Sequence, residues 1–367
     1  VPSASFQVGV SVSGGLLEMS MASNQFNKEE LAEIFSSYDR KKKYHRLKNG
    51  AFITFNKEQK QVMSALLDVM KNYADKKNPD TIKMPLFRAL YLDELLAEKE
   101  SVELKKNREY RKLIGKMRSY ENGDYEVPQS LEAVLREYQR DGFYWIKTLK
   151  ENGFGGILAD DMGLGKTLQT ITLLVSDQGK GSSIIVCPAS LIYNWQHELE
   201  LFASNLRIQV VAGNAKERKE LIEQYTSYDV LITSYDLLRR DLEIYEGCKF
   251  FYQILDEAQY IKNHMTMNAK AVKQINAAYR LALTGTPIEN SLSELWSIFD
   301  YLMPGYLYSY TRFRKQFEMP IMKKENEDAM ADLQKMIRPF ILRRLKKEVL
   351  SDLPDKIEKC VTIPLEG

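Results

Sequence analysis

The sequence has few of the residues from which disulfide and metal sites are built. Only three of its 367 residues are cysteines and only three are histidines, and they lie too far apart for zinc-ligand spacing. An odd, sparse set of cysteines is typical of a reducing compartment. A signal peptide and a long uncharged apolar run are also lacking, so we expect no membrane partner. These shortages argue against a secreted disulfide scaffold, a zinc protein and a membrane protein.

An excess of charge of one sign is lacking as well. Lys and Arg number 52 and Asp and Glu number 50, which leaves a formal net charge of +2. Net charge therefore does not mark a nucleic-acid binder, and any basic surface must be local. The runs Arg40-Lys-Lys-Lys43 and Arg343-Arg-Leu-Lys-Lys347 could contact DNA, although a run of charges is more often a solvated face.

What is present is an apolar share of 44%, enough for packed cores in two or more structural units. Residues 1–125 mix strand and helix signals, including a helix predicted over residues 104–120, and contain no catalytic cluster. We expect a small α+β accessory domain there. The chain begins at Val1 and stops at Gly367 within a strand-like stretch, from which we expect a piece of a longer protein.

The pattern changes over residues 126–303, where short apolar runs alternate with helical stretches. This pattern predicts an α/β lobe whose parallel sheet has helices on both faces. The expected strands cover residues 156–159, 183–186, 208–211, 230–233, 251–255 and 281–284. No strand is expected over residues 304–352, which we predict to be a helical insertion.

The strongest chemical signal is Asp160-Asp-Met-Gly-Leu-Gly-Lys-Thr167, between a predicted strand and a predicted helix. Gly163 and Gly165 allow the backbone to wrap around a polyphosphate, and the helix N-terminus adds partial positive charge. Lys166 can then reach the β- and γ-phosphates, and the Thr167 hydroxyl can bind Mg²⁺. The generic phosphate-loop pattern has glycine where Asp160 stands. An ordinary glycine-rich loop is the alternative, and the strand–loop–helix context disfavours it.

A second signal follows the apolar run Phe251-Tyr-Gln-Ile-Leu255. The run delivers Asp256 and Glu257 at its carboxyl end, where open α/β sheets place their ligands. One acid can hold magnesium, and the next can orient and deprotonate an attacking water. An isolated acidic pair is more often a solvated surface feature, but a pair after a buried strand indicates a functional site.

Six motifs in this order resemble those of the Swi/Snf family of double-stranded DNA translocases, within helicase superfamily two. The resemblance covers about residues 130–360, and residues 1–125 more weakly resemble an accessory domain of bacterial members. In that family the phosphate loop typically begins with two acids, so Asp160 matches. The motifs are Leu135-Arg-Glu-Tyr-Gln139, Asp160 to Thr167, Ile185-Val-Cys-Pro-Ala-Ser-Leu191, Leu231-Ile-Thr-Ser-Tyr235, Asp256-Glu-Ala-Gln259 and Leu283-Thr-Gly-Thr-Pro-Ile-Glu-Asn290.

The resemblance implies a RecA-like lobe that binds ATP and Mg²⁺, with Lys166, Asp256 and Glu257 as catalytic residues. It implies that Gln139 contacts the adenine base and that Thr167 and Asp256 hold the metal. The loop residues implied in nucleotide binding are Asp161, Met162, Gly163, Leu164, Gly165, Lys166, Thr167 and Leu168. Candidates for DNA contacts are Ser190 and Ser234, either of which could instead cap a helix. Candidates for coupling ATP to DNA are Gln259, Thr284 and Thr286.

The function implied is the ATP-binding lobe of a Swi/Snf-like remodeller that translocates on double-stranded DNA. Residues 304–367 then form the insertion and a bridge toward a second RecA-like lobe of the full-length chain. Because that lobe supplies arginines to the γ-phosphate, we expect residues 1–367 alone to be nearly inactive. The resemblance also implies a protein partner of the accessory domain and a cytoplasmic, nucleoid-associated location. Alternatives are an RNA or DNA helicase and a non-catalytic ATP-responsive nucleic-acid-binding module. An RNA helicase more typically carries Asp-Glu-Ala-Asp. Trp145, Trp195 and Trp296 lie in apolar helical contexts and are predicted to be core.

Overall fold

The structure is a computed structural model that describes residues 6–37, 44–46, 50, 52–73, 81–97, 102–120, 125–285, 291–324 and 327–349. Thr286 and the basic run at residues 40–43 lie outside the described residues. Two larger sheets organise the chain, one of four strands and one of seven. None of the helices in the described ranges is both long and apolar enough to cross a bilayer.

The amino-terminal part folds around the four-stranded sheet. Its elements are β1 (Phe6–Ser13), β2 (Leu16–Ala22), α1 (Lys28–Ser37), β3 (Tyr44–Arg46), β4 (Phe52–Thr54), α2 (Lys57–Tyr73), β5 (Thr81–Pro85), α3 (Arg88–Ala97), β6 (Val102–Lys106), α4 (Arg108–Arg118) and α5 (Gln129–Glu132). The sheet order is β5-β2-β1-β6, and β3 pairs separately with β4. Alternate residues of β1 and β2, such as Val8 and Leu17, are fully buried, as expected of strands with one face on a core.

The helix predicted over residues 104–120 is wrong at its start. Residues Val102–Lys106 form β6, which pairs in parallel with β1, and the helix begins only at Arg108. The Asn107 side chain caps that helix by accepting from the Tyr110 amide at 2.8 Å. Pairing with a distant strand therefore overrides the local helical signal of this segment.

The larger part is an α/β lobe, as predicted. Its elements up to residue 283 are α6 (Glu137–Glu151), β7 (Gly156–Leu158), α7 (Lys166–Ser176), β8 (Ser183–Cys187), α8 (Ile192–Phe202), β9 (Ile208–Val210), α9 (Ala215–Glu223), β10 (Val230–Ser234), α10 (Tyr235–Arg240), β11 (Phe250–Leu255), α11 (Met267–Gln274) and β12 (Ala277–Leu283). All six predicted strands are present. Every residue of β8 and β10 is buried, because both faces of a parallel sheet are covered by helices.

The remaining elements form the insertion and return to the sheet. They are α12 (Leu292–Leu302), α13 (Tyr310–Phe313), α14 (Met319–Lys324), α15 (Glu327–Ile337), β13 (Ile341–Leu342) and α16 (Lys346–Val349). The expectation of no strand over residues 304–352 is wrong, because β13 pairs in parallel with β7. A strand of two residues is too short to show periodicity in the sequence. The sheet order is β13-β7-β12-β11-β8-β10-β9.

The two parts meet at Arg88, the first residue of α3. Its side chain is fully buried and donates to the main-chain carbonyls of Gly305 and Tyr306 in the larger part. Its guanidinium carbon lies 4.6 Å from the Tyr308 ring centre and 5.0 Å from that of Tyr306. A buried cation among aromatic rings is therefore one of the contacts that hold the accessory part to the lobe.

Candidate nucleotide site

Three predicted motifs lie side by side at one edge of the seven-stranded sheet. The phosphate loop follows β7, Thr284 follows β12, and the acidic pair follows β11, and these strands are neighbours in the order β7-β12-β11. Because the strands are parallel, their carboxyl ends share one edge, where α/β sheets bind ligands. The structure thus brings together residues that are up to 124 positions apart, from Asp160 to Thr284.

The phosphate loop depends on two glycines. Gly163 and Gly165 have φ of 85° and 78°, in the left-handed region that other residues rarely adopt. Gly165 also precedes α7 directly, and a Cβ there would collide with Gln139 Nε2. Gln139 Nε2 donates to the Leu164 carbonyl at 3.1 Å, so the segment expected to read adenine is attached to the loop. The loop can therefore present main-chain amides to a polyphosphate beside the adenine-reading segment.

Lys166 points into the loop. Its Nζ donates to the Asp160 carbonyl at 2.7 Å and lies 3.7 Å from the position that a Cβ on Gly285 would occupy. Burial lowers the pKa of Lys166, while the charges of nearby carboxylates raise it, Asp160 most and then Glu257 and Asp256. The lysine is thus held close to both other motifs, in position to meet a phosphate.

The acidic pair is held by a buried indole. Trp195 Nε1 donates to Asp256 Oδ2 at 2.8 Å, and the Glu257 amide donates to Asp256 Oδ1 at 2.9 Å. Burial raises the pKa of Asp256, and the Trp195 hydrogen bond opposes this by stabilising the charged form. Glu257 has φ of 49°, an uncommon left-handed conformation for a residue other than glycine and one that recurs at functional sites.

A hydrogen-bonded line connects the acidic pair to β12. Gln259 Nε2 donates to Glu257 Oε2 at 2.7 Å, and the Thr284 hydroxyl donates to Gln259 Oε1 at 3.1 Å. Both candidates for coupling that lie within the described residues therefore contact each other. Thr284 is buried, so this line of polar contacts runs from Glu257 to the residue that follows β12.

The donors present fit a magnesium ion carried by a nucleotide. No group of three or more His, Cys, Asp or Glu side chains that could hold a metal occurs within the described ranges. Mg²⁺ in phosphate sites takes one or two carboxylates and completes its shell with phosphate oxygens and water. Asp256 and the Thr167 hydroxyl suit that role, and the bound ion would supply charge neutralisation at the phosphates.

Other loop residues have different surroundings. Met162 is exposed, whereas the side chain of Leu164 is fully buried. Leu168 is partly buried and packs against the core. Asp161 Oδ2 accepts from the Lys346 amide at 3.0 Å, so this acid caps α16.

The two serines proposed for DNA contacts differ in their local roles. Ser234 is buried and accepts from the Leu237 amide at 3.2 Å, so it caps α10. Ser190 is exposed in the turn Ala189–Leu191 that follows β8. Both stand at the same edge of the sheet as the nucleotide motifs. The capping alternative therefore holds for Ser234, and contact of either serine with DNA stays a prediction.

Sequence reasoning missed three contributors to the site. Trp195 is buried, as predicted, but it also orients Asp256. Arg344, expected in a run that could contact DNA, instead pairs with the fully buried Asp160. Lys346 Nζ lies 3.3 Å from where a Cβ on Gly163 would be. A signal for Arg344 exists in the sequence, because Arg343 and Arg344 follow the apolar pair Ile341-Leu342. Residues that follow a parallel strand lie at the edge of the sheet where ligands bind.

Family models match both parts of the chain. The family model described as "SNF2-related domain" matches residues 138–367, and the model described as "Bacterial SNF2 helicase associated" matches residues 1–128. The first match covers the whole phosphate loop and the acidic pair. The second covers the four-stranded sheet of the accessory part.

Curated relatives are similar over the same lobe. The yeast (Saccharomyces cerevisiae) TATA-binding protein-associated factor MOT1 is 42% identical over 259 residues, which are 64% of this chain and 14% of that protein. The putative ATP-dependent helicase/translocase YwqA of Bacillus subtilis is 41% identical over 269 residues, 71% of this chain and 29% of that protein. The chain therefore spans a minor part of the length of these relatives.

A solved structure shares the fold. The Sulfolobus solfataricus SWI2/SNF2 ATPase core in complex with dsDNA is 42% identical, with a TM-score of 0.58. The match covers 64% of this chain and 50% of that one.

Proposed function

The chain belongs to the SNF2-related family, and from that premise we propose that it is the ATP-binding lobe of a motor that moves along double-stranded DNA. The observation that carries the proposal is the meeting of Lys166, Asp256 and Glu257 at one sheet edge, with Thr284 joined to Glu257 through Gln259. Binding of ATP alone does not require Glu257 to be joined by hydrogen bonds to Thr284 at the end of the neighbouring strand.

Each residue of the site has a task in ATP hydrolysis. Lys166 neutralises phosphate charge, and Gln139 reads the base. Glu257 accepts a proton from the attacking water, while Asp256 and Thr167 hold Mg²⁺. Gln259 and Thr284 carry the consequence of hydrolysis toward the DNA-facing loops after β12.

We infer that rapid turnover needs a second lobe. The solved SWI2/SNF2 core is about twice as long as the part this chain matches. An arginine supplied across a cleft is worth about 10³–10⁵ in rate for phosphoryl transfer. Residues 1–367 alone are therefore expected to bind ATP and to hydrolyse only traces of it.

Intact duplex DNA is the proposed track. The Sulfolobus core, 42% identical, was solved with dsDNA, and this chain carries Asp256-Glu-Ala-Gln259 rather than the Asp-Glu-Ala-Asp typical of RNA helicases. The protein would thus work where the chromosome is, and nucleoid association is part of the proposal. We assign the accessory part, matched by the bacterial SNF2 helicase-associated model, to a protein partner or to regulation of the motor.

A comparison of polynucleotides tests the proposal. The ATPase rate of the full-length protein is measured with double-stranded DNA, single-stranded DNA and RNA, and the duplex should stimulate it most. Preference for RNA would indicate the RNA helicase alternative, and ATP binding without turnover would indicate the non-catalytic alternative.

Replacement of the proposed base tests the chemistry. In the full-length protein, Glu257→Gln should keep the affinity for Mg²⁺–ATP but lower kcat at least about 100-fold. The attacking water loses its base, while the metal ligands remain. The exposed Glu246→Gln is the matched control and should leave kcat unchanged. A Glu257→Gln enzyme with near-normal kcat would remove Glu257 from its role.

A further inference from the structure

An arginine far along the chain is bound to the first residue of the phosphate loop. β13 lies parallel to β7, and the two chains stay side by side beyond the strands. The Ala159 amide donates to the Leu342 carbonyl at 2.7 Å, and the Asp161 amide donates to the Arg344 carbonyl at 3.0 Å. The Arg344 side chain is 13% exposed and pairs with Asp160, which is fully buried. A residue 184 positions away thus forms part of the wall of the site.

The Arg344 guanidinium holds three separate elements. Nε donates to Asp160 Oδ1 at 3.0 Å and Nη2 donates to the other carboxylate oxygen, which makes a bidentate pair. Nη2 also donates to Gln169 Oε1 in α7 at 2.8 Å. Nη1 donates to the Tyr138 carbonyl in α6, and the Tyr138 ring centre lies 5.2 Å from the guanidinium carbon. A planar fork bound in this way fixes orientation as well as position.

Two of these partners are next to groups that bind the nucleotide in the proposed function. Tyr138 directly precedes Gln139, which reads the base. Asp160 is held through its carboxylate by Arg344, and its carbonyl accepts from Lys166 Nζ at 2.7 Å. The base-reading segment and the phosphate-binding lysine are therefore anchored to one guanidinium.

From this geometry we propose that Arg344 is a positioning residue that couples recognition of the adenine base to binding of the phosphates. The inference rests on the proposed ATP site and adds to it a determinant of base specificity that lies outside the phosphate loop. Without the guanidinium, the Tyr138 carbonyl and the Asp160 carboxylate lose their common anchor. The base-reading and phosphate-binding groups are then no longer fixed at the distance that one ATP molecule spans. Binding of ATP must order both groups, and the free energy of ordering lowers the affinity for ATP.

Calorimetric titration with three probes tests the proposal. Residues 1–367, wild type and Arg344→Gln, are titrated with ATP, GTP and inorganic tripolyphosphate in the presence of Mg²⁺. The ratios of ATP affinity to GTP affinity and to tripolyphosphate affinity measure the contribution of the base. Arg344→Gln should weaken ATP about 10- to 100-fold, the loss typical of a supporting residue behind a site. Both ratios should fall toward one.

Two further variants separate coupling from folding. Arg218→Gln breaks a comparably buried bidentate arginine pair, with Asp241 at 2.6 and 2.8 Å, which lies on α9 and away from the phosphate loop. It should lower the melting temperature to a similar degree and leave both ratios unchanged. Arg344→Lys keeps the positive charge but not the planar guanidinium, so the variant should stay folded and still lose its selectivity for ATP. This variant keeps the test decisive if Arg344→Gln does not fold.

The outcomes distinguish this inference from the function on which it rests. If wild type fails to bind ATP, or binds all three probes equally, the proposed site fails and the coupling fails with it. If wild type selects ATP and the Arg344 variants keep both ratios, only the coupling is overturned. A fall in the ratios for Arg344→Gln and Arg344→Lys, but not for Arg218→Gln, supports it.

Discussion

At the scale of single residues, two opposing effects act on the pKa of Asp256. Burial raises the pKa of its carboxyl, and the hydrogen bond from the Trp195 indole lowers it. Magnesium binds the ionised form, so affinity for Mg²⁺–ATP should fall as the pH drops through this raised pKa. The midpoint should lie above the value of about 3.9 for an ordinary aspartate. Trp195 therefore supports the charged form of the proposed metal ligand through one hydrogen bond.

Trp195→Phe should move that midpoint to higher pH. The substitution removes a donor to the charged form, so the pKa of Asp256 rises further. A hydrogen bond to a charged group is worth about 1.5–3 kcal/mol, enough to move the midpoint measurably. The measurement is Mg²⁺–ATP affinity as a function of pH.

Trp296→Phe is the control for this shift. Its indole is also buried, but it donates to the Tyr308 carbonyl at 3.1 Å, away from Asp256. The control should leave the midpoint where it is. An unchanged or lowered midpoint for Trp195→Phe would show that the indole does not set the charge of Asp256.

At the scale of elements, the strand–loop–helix unit from β7 to α7 depends on backbone conformations available to glycine. Gly165→Ala should cost roughly 1–2 kcal/mol of stability, because a left-handed conformation is unfavourable for alanine. It should also weaken ATP binding at least about tenfold, since the added Cβ collides with Gln139. Calorimetric titration and thermal melting measure the two effects separately.

Gly179→Ala is matched to this change. Gly179 has φ of 83°, close to the 78° of Gly165, but a Cβ there meets nothing within 4 Å. It should lose similar stability and keep full ATP affinity. Equal loss of ATP affinity in both variants would mean that backbone strain alone, rather than contact with Gln139, explains the result.

The strands of the two sheets show how much of the fold and of the site can be predicted from the sequence. The six strands β7 to β12 of the lobe are predictable because buried parallel strands are continuous apolar runs, and parallel strands place Lys166 and Asp256 at one carboxyl edge. β6 and β13 were not found, because each exists through pairing with a distant strand. The roles of Trp195 and Arg344 were missed for the same reason, since each depends on a partner 61 or 184 positions away.

At the scale of the whole molecule, Arg88 contributes a buried contact that attaches the accessory part to the lobe. Arg88→Met should leave the carbonyls of Gly305 and Tyr306 without their donor, at a cost of about 2–3 kcal/mol. We expect the unsubstituted chain to unfold in one thermal transition and Arg88→Met in two, with the accessory part unfolding first. Differential scanning calorimetry measures this.

Arg111→Met is the corresponding control within the accessory part. Arg111 is exposed and donates to the Lys106 carbonyl at 2.9 Å, a partner within the accessory part. The control should keep one transition. A single, unshifted transition for Arg88→Met would show that the two parts are joined by other contacts.

The central claim, movement along an intact duplex driven by ATP, is tested most directly by displacement of a third strand. The full-length protein is given a labelled triplex and, in parallel, a labelled forked duplex, each with ATP. Phosphate contacts carry little sequence information, which suits tracking, and they make binding salt-sensitive. The account predicts that the third strand is released with ATP but not with Glu257→Gln, that added salt slows the release, and that the fork stays paired. Efficient unwinding of the fork, or an undisturbed triplex under full ATPase activity, would contradict it.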